Sequence, residues 1–256
     1  ILPEKSARAL ELLNSPEFKA NFDLQEALEG LQDIYNLGAR GQERLKEQAR
    51  RAVGQNDAPG ALRTNYIASQ NISPEKRALL QTLRYSEGTK RSYGMLYGGE
   101  IVPELAQGLL TVQEVINMAD TGRLPDRLGG RRVRYGGGSK ATAGYQFMPN
   151  TLEALIQQNK LRPDQFFTPL VQDQAAIDLI LIRKVNPNNE LTGADFDLLA
   201  PEWASIPMHN RDHAKYGESY YAGDGINSAK PLQQFTQFYK EALKREREKE
   251  SMRGVI

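Results

Sequence analysis

The seven residues Leu83-Arg84-Tyr85-Ser86-Glu87-Gly88-Thr89 carry the most informative pattern in this chain. They close an amphipathic helix that is predicted to begin at Ser73-Pro74, because Ser is a favourable N-cap and Pro suits the first turn. Gly88 breaks the helix and leaves Glu87 at its C-terminal end. The negative end of the helix dipole and partial burial both favour a protonated carboxyl, so we expect a raised pKa for Glu87. Such a carboxyl is suited to general acid catalysis near neutral pH.

Composition excludes several classes of function. The chain has 256 residues, a net charge of +1 and no cysteine. The small net charge gives no overall attraction to nucleic acid, and we predict no nucleic-acid partner. No apolar run of about 18 residues is present, so no membrane span is predicted. Without cysteine there are no disulfides, thiolate metal sites or cysteine nucleophiles, and we predict no cofactor and no metal.

Three zones follow one another along the chain. Residues 1–72 are predicted to form a helical N-terminal segment and linker with few apolar anchors, which would dock on a partner because short polar helices are unstable alone. Residues 73–242 form the globular core. Residues 243–256 continue the last helix as a charged, solvated extension. The chain starts at Ile1 without Met or a signal-peptide pattern, so we expect a processed product or a piece of something longer.

The globular core is predicted to be mainly helical with a small β-hairpin region. Hydrophobic periodicity predicts helices over 111–119, 149–159 and 171–185, and a last helix that starts at Pro231. The stretch 93–102 alternates Tyr, Gly and aliphatic residues, which indicates a short hairpin or extended loop.

Five ordered sequence blocks in this core resemble the lysozyme-like domains of phage muralytic enzymes, especially the bacteriophage lambda endolysin family. The resemblance covers residues 73–242. The blocks are Leu83–Thr89, Tyr93–Glu100, Ala141–Pro149, Phe167–Ala175 and Trp203–Pro207, the last followed by Tyr216-Gly217. The resemblance implies an α+β lysozyme-like fold. Two departures from the family pattern stand out: Gly144 takes the place of a common Arg, and the stretch 102–140 is longer.

The resemblance implies that the glycan strand of peptidoglycan is the substrate. Glu87 would protonate the oxygen between N-acetylmuramic acid and N-acetylglucosamine. The 6-hydroxyl of the muramyl sugar would then attack the anomeric carbon and give a 1,6-anhydro product. Because this nucleophile belongs to the substrate, proximity replaces a second catalytic carboxylate. If water attacks instead, a second carboxylate is needed. Glu100 and Asp173 are the candidates, although Asp173 is better explained as a helix cap.

Four further residues are expected in the substrate cleft beside Glu100. The resemblance places Tyr145 and Gln146 there, a Tyr ring to lie on a sugar face and a Gln amide to bind an N-acetyl group. Tyr93 and Tyr216 are included on the same grounds. Trp203 is better explained as a core residue.

Two other patterns are weaker. His209 and His213 have a metal-compatible helical spacing but no apparent third ligand, so solvated loop histidines are favoured. The basic, Gly-rich stretch 129–138 lacks the Lys-Ser or Lys-Thr of a phosphate-binding loop. It is interpreted either as a cleft-edge loop that attracts acidic wall polymer or as a plain surface loop.

The N-terminal segment and the missing Met suggest a part of a phage virion, from the tail or the interior, that opens the wall locally during infection and acts in the bacterial periplasm or cell wall. Other virion proteins would then bind residues 1–72, and oligomerisation within the particle stays open. One alternative is a structural tail or core protein whose lysozyme-like domain is inactive, which Gly144 favours. Another is a module that binds the wall without cutting it.

Overall fold

Helices are the main regular secondary structure of the computed structural model, which describes residues 72–90, 92–225 and 227–253. The helices are α1 (Pro74–Ser86), α2 (Pro103–Ala106), α3 (Val112–Thr121), α4 (Pro149–Gln157), α5 (Pro169–Ile182), α6 (Gly193–Leu199) and α7 (Leu232–Arg253), with a 3-10 turn at Asp126–Leu128. The mainly helical fold class predicted from the sequence is therefore confirmed. The helices predicted before residue 72 lie outside the described residues.

Capping side chains start four of these helices, among them α6, which Thr192 caps. Ser73 caps α1 by accepting a hydrogen bond from the main-chain N–H of Lys76. Thr111 and Glu114 form a reciprocal capping box at the start of α3. Thr168 caps α5 and Pro169 follows it at the first helical position. Each cap satisfies main-chain N–H groups that the helix itself leaves unpaired, and this explains why these starts were readable from the sequence.

The predicted hairpin region consists of single antiparallel bridges. Met95 pairs with Ile101, and Leu96 pairs with Thr142, which in turn pairs with Phe147. Within the described residues these bridges are isolated and do not extend into longer strands. Their effect is to hold the 142–147 turn against the 93–102 segment, so that two of the sequence blocks become neighbours.

Two predictions about buried faces need correction. The apolar pattern of 171–185 predicts Ile182 on the core side of α5, whereas in the structure Ile182 is the last residue of α5 and is 42% exposed. The end of α7 was expected to be solvated, yet Glu246 is only 3% exposed. It lies in the seam between α7 and α1.

The carboxylate of Glu246 is satisfied by three side chains. It accepts hydrogen bonds from Arg77 Nε (2.7 Å), Gln81 Nε2 (2.9 Å) and Lys249 Nζ (2.9 Å). Burial alone would raise its pKa, but these partners outweigh burial and lower the pKa below its ordinary value. Glu246 therefore fixes α7 along α1, the helix that ends at Glu87.

We expect Glu246→Ala to lower the free energy of unfolding by about 2 kcal/mol at pH 7, because Arg77, Gln81 and Lys249 lose the carboxylate that they share, while Arg77 keeps Glu250. The lowered pKa means that the ionised form contributes stability at neutral pH, and that this contribution is lost as the pH falls through the folded-state pKa. Denaturant unfolding of the parent and the variant at several pH values measures both effects. Glu248, exposed on the same helix and 3.9 Å from Lys244, provides the control Glu248→Ala, which should change stability by less than about 0.5 kcal/mol. Equal losses in the two variants would contradict a special role for Glu246.

Candidate active site

Glu87 is the C-cap residue of α1. Its main-chain N–H still bonds to the carbonyl of Leu83, and Gly88 follows with φ +74°. Glycine adopts this left-handed conformation without a steric penalty, so the chain turns sharply away from the helix. The turn leaves the Glu87 side chain at the end of α1, as the sequence predicted.

The carboxyl of Glu87 is largely removed from water. Burial raises its pKa from 4.5 to about 7. Three smaller effects lower the pKa. The hydroxyl of Ser205 donates a 2.5 Å hydrogen bond to Oε1, and the Ser205 main chain also forms a hydrogen bond to the carboxyl. The third effect is the positive charge of the nearby Lys230. A group with this pKa is present in both protonation states at neutral pH, which is what a residue that alternates between acid and base requires.

Ser205 is held in place from two sides. The main-chain N–H of Lys230 donates to the Ser205 carbonyl at 3.0 Å. Two residues earlier, Trp203 is 3% exposed, and its indole N–H donates to the carbonyl of Tyr145 at 3.2 Å. Trp203 is thus a core residue, as expected. The sequence analysis named the 203–207 block but not Ser205 itself. The hydroxyl of this residue donates directly to the Glu87 carboxylate.

The 143–146 turn lies beside the end of α1. The hydroxyl of Thr89 donates a hydrogen bond to the Gly144 carbonyl. Gln146 has φ +51°, and its side-chain nitrogen donates to the carbonyls of Met95 and Ala143, both at 3.0 Å. This strained turn therefore fixes the amide of Gln146. Its side-chain oxygen accepts no hydrogen bond from the described part of the chain.

Tyr145 does not lie on a cleft wall, contrary to the sequence prediction. It is 1% exposed, and its hydroxyl donates to Asp173 Oδ1 at 2.6 Å. Tyr93 donates to the same oxygen at 2.9 Å, and the two rings meet edge to face. Asp173 is not the cap of α5, which is Thr168, so the capping interpretation is also wrong. These three residues form a network that supports the 143–146 turn.

Gly144 is required by packing. A Cβ atom added there would lie 2.8 Å from Cδ1 of Tyr93 and 3.2 Å from Oε1 of Gln172, which accepts the Gly144 N–H. The Tyr93 ring is fixed on its face by the guanidinium of Arg84, 3.8 Å from the ring centroid. Arg84 was quoted in the opening block but not recognised as part of the site. The missing Arg at position 144 is therefore a consequence of this arrangement of Tyr93.

The remaining two candidate residues lie apart from this network. The carboxylate of Glu100 binds Arg131 at 3.3 Å and the main-chain N–H of Arg134 at 2.8 Å. It therefore fastens the Gly-rich basic stretch to the 93–102 segment. Tyr216 is 42% exposed and forms a parallel bridge with Met208, near Ser205 in the chain. Its ring is available at the surface.

The two histidines have different surroundings, and His209 is not the solvated loop residue that the sequence predicted. The His209 ring stacks on Phe196, with 5.2 Å between centroids, and burial lowers its pKa. His213 accepts the N–H of Lys215 through Nδ1. Among residues 72–90, 92–225 and 227–253 no three His, Cys, Asp or Glu side chains come together as metal ligands. Over the same ranges, no helix has both the length and the apolar character needed to cross a bilayer.

Comparison with known proteins gives two similarities. The family model described as Endolysin matches residues 77–243, well over half of the chain. Among solved structures, bacteriophage lambda lysozyme complexed with a chitohexasaccharide matches with 19% identity and a TM-score of 0.43, over 68% of this chain and 96% of that one. No curated protein matches.

The family model matches the same region that the ordered sequence blocks and the Glu87 network occupy. On that match, this chain belongs to the endolysin family, the lysozyme-type glycosidases that cleave peptidoglycan.

Proposed function

We propose that this protein is a phage lytic transglycosylase that cuts the bond between N-acetylmuramic acid and N-acetylglucosamine, with Glu87 as the acid and then the base. The observation that carries this proposal is the desolvated Glu87 carboxyl, with a pKa of about 7 and a hydrogen bond from Ser205. Membership of the endolysin family supports the substrate class.

The reaction proceeds in two proton transfers. Protonated Glu87 donates its proton to the glycosidic oxygen as the bond from that oxygen to the anomeric carbon breaks. The 6-hydroxyl oxygen of the muramyl sugar bonds to the anomeric carbon, and the Glu87 carboxylate removes the hydroxyl proton. The acid is thereby regenerated, and the products are a 1,6-anhydro-muramyl end and a free 4-hydroxyl. No water is consumed.

The surroundings of Glu87 favour this route over hydrolysis. In the described part of the chain, the groups that shift its pKa are Ser205 and Lys230, and neither is a carboxylate. Asp173 is bonded to two tyrosines and Glu100 is bound to the basic stretch. A hydrolase of this type needs a second carboxylate at the scissile bond, whereas an intramolecular nucleophile needs only correct positioning. The Gln146 side-chain oxygen supports positioning, since it suits the N–H of an N-acetyl group.

We expect Glu87→Gln to lower the rate of release of anhydro-muropeptides from purified peptidoglycan by at least about 100-fold, because the amide cannot transfer the proton. Mass spectrometry of the released fragments measures the rate and the chemistry. Glu153→Gln, which neutralises an exposed carboxyl on α4, should retain parental activity. Reducing-end products from the parent would indicate a hydrolase, and absence of products from a folded parent would favour the inactive structural alternative.

The same variant should fold at least as stably as the parent. The pKa of Glu87 is higher in the folded state than its ordinary value of 4.5. Ionisation of Glu87 therefore lowers the free energy of unfolding as the pH rises from 4.5 to about 7, by roughly 3 kcal/mol at most. Glu87→Gln removes this cost, so a loss of activity accompanied by equal or greater resistance to denaturant above pH 7 identifies a catalytic effect. If the variant unfolds, its loss of activity is explained by the loss of the fold instead.

We expect Ser205→Ala to move the alkaline limb of the pH profile of kcat/KM upward, by up to about one unit. The Ser205 hydroxyl stabilises the ionised carboxyl, so its removal raises the pKa of Glu87 further and keeps the acid protonated at higher pH. Initial rates of wall lysis from pH 5 to 9 measure the limb. Ser228→Ala, at an exposed position before Lys230, serves as the control. If the alkaline limb does not move, it reports the ionisation of a group other than Glu87.

We further propose that the protein acts from a phage virion, in the tail or interior, with residues 1–72 bound to other virion proteins. The support is the sequence of that segment, which combines helical periodicity with few apolar anchors. We expect peptides from this chain in gradient-purified particles, detected by mass spectrometry. Recovery only in the soluble fraction of late lysates would contradict a place in the virion.

A further inference from the structure

An aromatic pair marks the surface beside the active site. The rings of Tyr85, on α1, and Phe238, on α7, stack with 3.9 Å between centroids and 5° between planes. Both residues are partly exposed, so the pair forms a flat apolar surface at the junction of the two helices. Tyr85 lies two residues before Glu87 in the chain.

Three cations surround this pair. Lys90 Nζ lies 4.8 Å from the Phe238 centroid and 5.6 Å from that of Tyr85. Lys230 Nζ lies 5.8 Å from the Tyr85 centroid, and the Arg245 guanidinium lies 5.9 Å from that of Phe238. At this distance the negative face of an aromatic ring attracts a cation.

These cations lack ion-pair partners in the described residues, where no carboxylate lies within salt-bridge distance of them. By contrast, Arg77 and Arg247, elsewhere in the same seam, each bind two carboxylates. One carboxylate, that of Glu241, lines the shallow groove over the aromatic pair, and it accepts a hydrogen bond from Gln237. Gathering unpaired like charges costs electrostatic free energy, which an anionic ligand would recover.

The cluster is joined to the catalytic carboxyl by the main chain. Lys230 bonds through its N–H to Ser205, whose hydroxyl bonds to Glu87, and Lys90 follows Glu87 in the same turn. The charge of Lys230 also acts on the ionisation of Glu87, so a ligand bound to these cations would lie near the bond that Glu87 is proposed to cleave.

We propose that Lys90 and Lys230, with the Tyr85–Phe238 pair between them, bind the carboxylates of the peptide that peptidoglycan carries on its muramyl sugar. This inference rests on the proposed function. The hydroxyl and acetamido groups of the glycan backbone are neutral, and the lactyl carboxyl of the muramyl sugar is in amide linkage to the peptide. In an intact strand the free carboxylates therefore belong to the peptide. The ring surface suits the aliphatic parts of that peptide. The cluster thus gives the enzyme a preference for peptide-bearing glycan over bare glycan.

The test compares peptide-bearing glycan strands with bare strands. An amidase has removed the peptides from the bare strands, and the lactyl carboxylates that it exposes have been converted to neutral methylamides. Each variant is assayed on both substrates, and the ratio of the two kcat/KM values is the readout. We expect the parent to favour the peptide-bearing strands, and Lys90→Gln/Lys230→Gln to lower the ratio about three- to tenfold, the size expected for the loss of two charge-assisted contacts. Lys160→Gln/Lys240→Gln removes the same charge elsewhere and should keep the parental ratio.

A second measurement separates this inference from the proposed function. Glu87→Gln protein, with and without the two lysine substitutions, is bound to both kinds of strand and the Kd values are compared. A preference for peptide-bearing strands that depends on the lysines supports the inference even if the parent does not cut glycan. If the preference is unchanged, or if the lysine substitutions weaken binding to both kinds of strand equally, the inference is overturned. The lysines would then act on the ionisation of Glu87 or on the fold.

Discussion

The desolvated carboxyl of Glu87 is the constraint around which the rest of the domain is organised. A carboxyl at the end of a helix in water would have an ordinary pKa and would be ionised at neutral pH. Here burial raises the pKa to about 7, and Ser205 limits that rise. Burial favours the acid and the hydrogen bond favours the conjugate base. The balance between them sets a pKa at which a single group can give a proton and then take one back.

Such a balance requires neighbours that do not move. The helix α1 is fixed from behind by α7, through Glu246 and its partners Arg77 and Gln81 in the first two turns of α1. Ser205 is fixed by Lys230 on one side and, through Trp203, by the carbonyl of Tyr145 on the other. The site is therefore assembled from three segments that are far apart in the chain, each tied to the next by buried hydrogen bonds. Breaking a seam distant from Glu87 is expected to affect Glu87 through this assembly.

Local signals made some parts of this arrangement readable from the sequence. Ser73 and Thr111 were recognisable as helix starts because capping depends on a few consecutive residues. The helix end, carboxyl and glycine around Glu87 are a weak signal alone, and the ordered sequence blocks that follow them singled out this residue. The roles of Tyr145 and Asp173 were assigned wrongly because each depends on a partner distant in sequence: the tyrosine hydroxyl needs a buried acceptor, and α5 supplies it. Glu246 was misjudged for the same reason, since a charged run on a helix gives no sign that Arg77 and Gln81 will face it.

Gly144, which departs from the family pattern, shows how contacts with residues distant in the sequence change the interpretation of a motif. Judged by the family pattern, the loss of an arginine there favours an inactive domain. In the structure the position has no room for a side chain, because the Tyr93 ring lies where a Cβ atom would be. That ring bonds to Asp173 by its hydroxyl and carries the Arg84 guanidinium on its face. A positive charge is therefore still present in this network, supplied by α1 rather than by the turn. Glycine at 144 is thus compatible with an intact site, and the argument for inactivity from that residue loses its force.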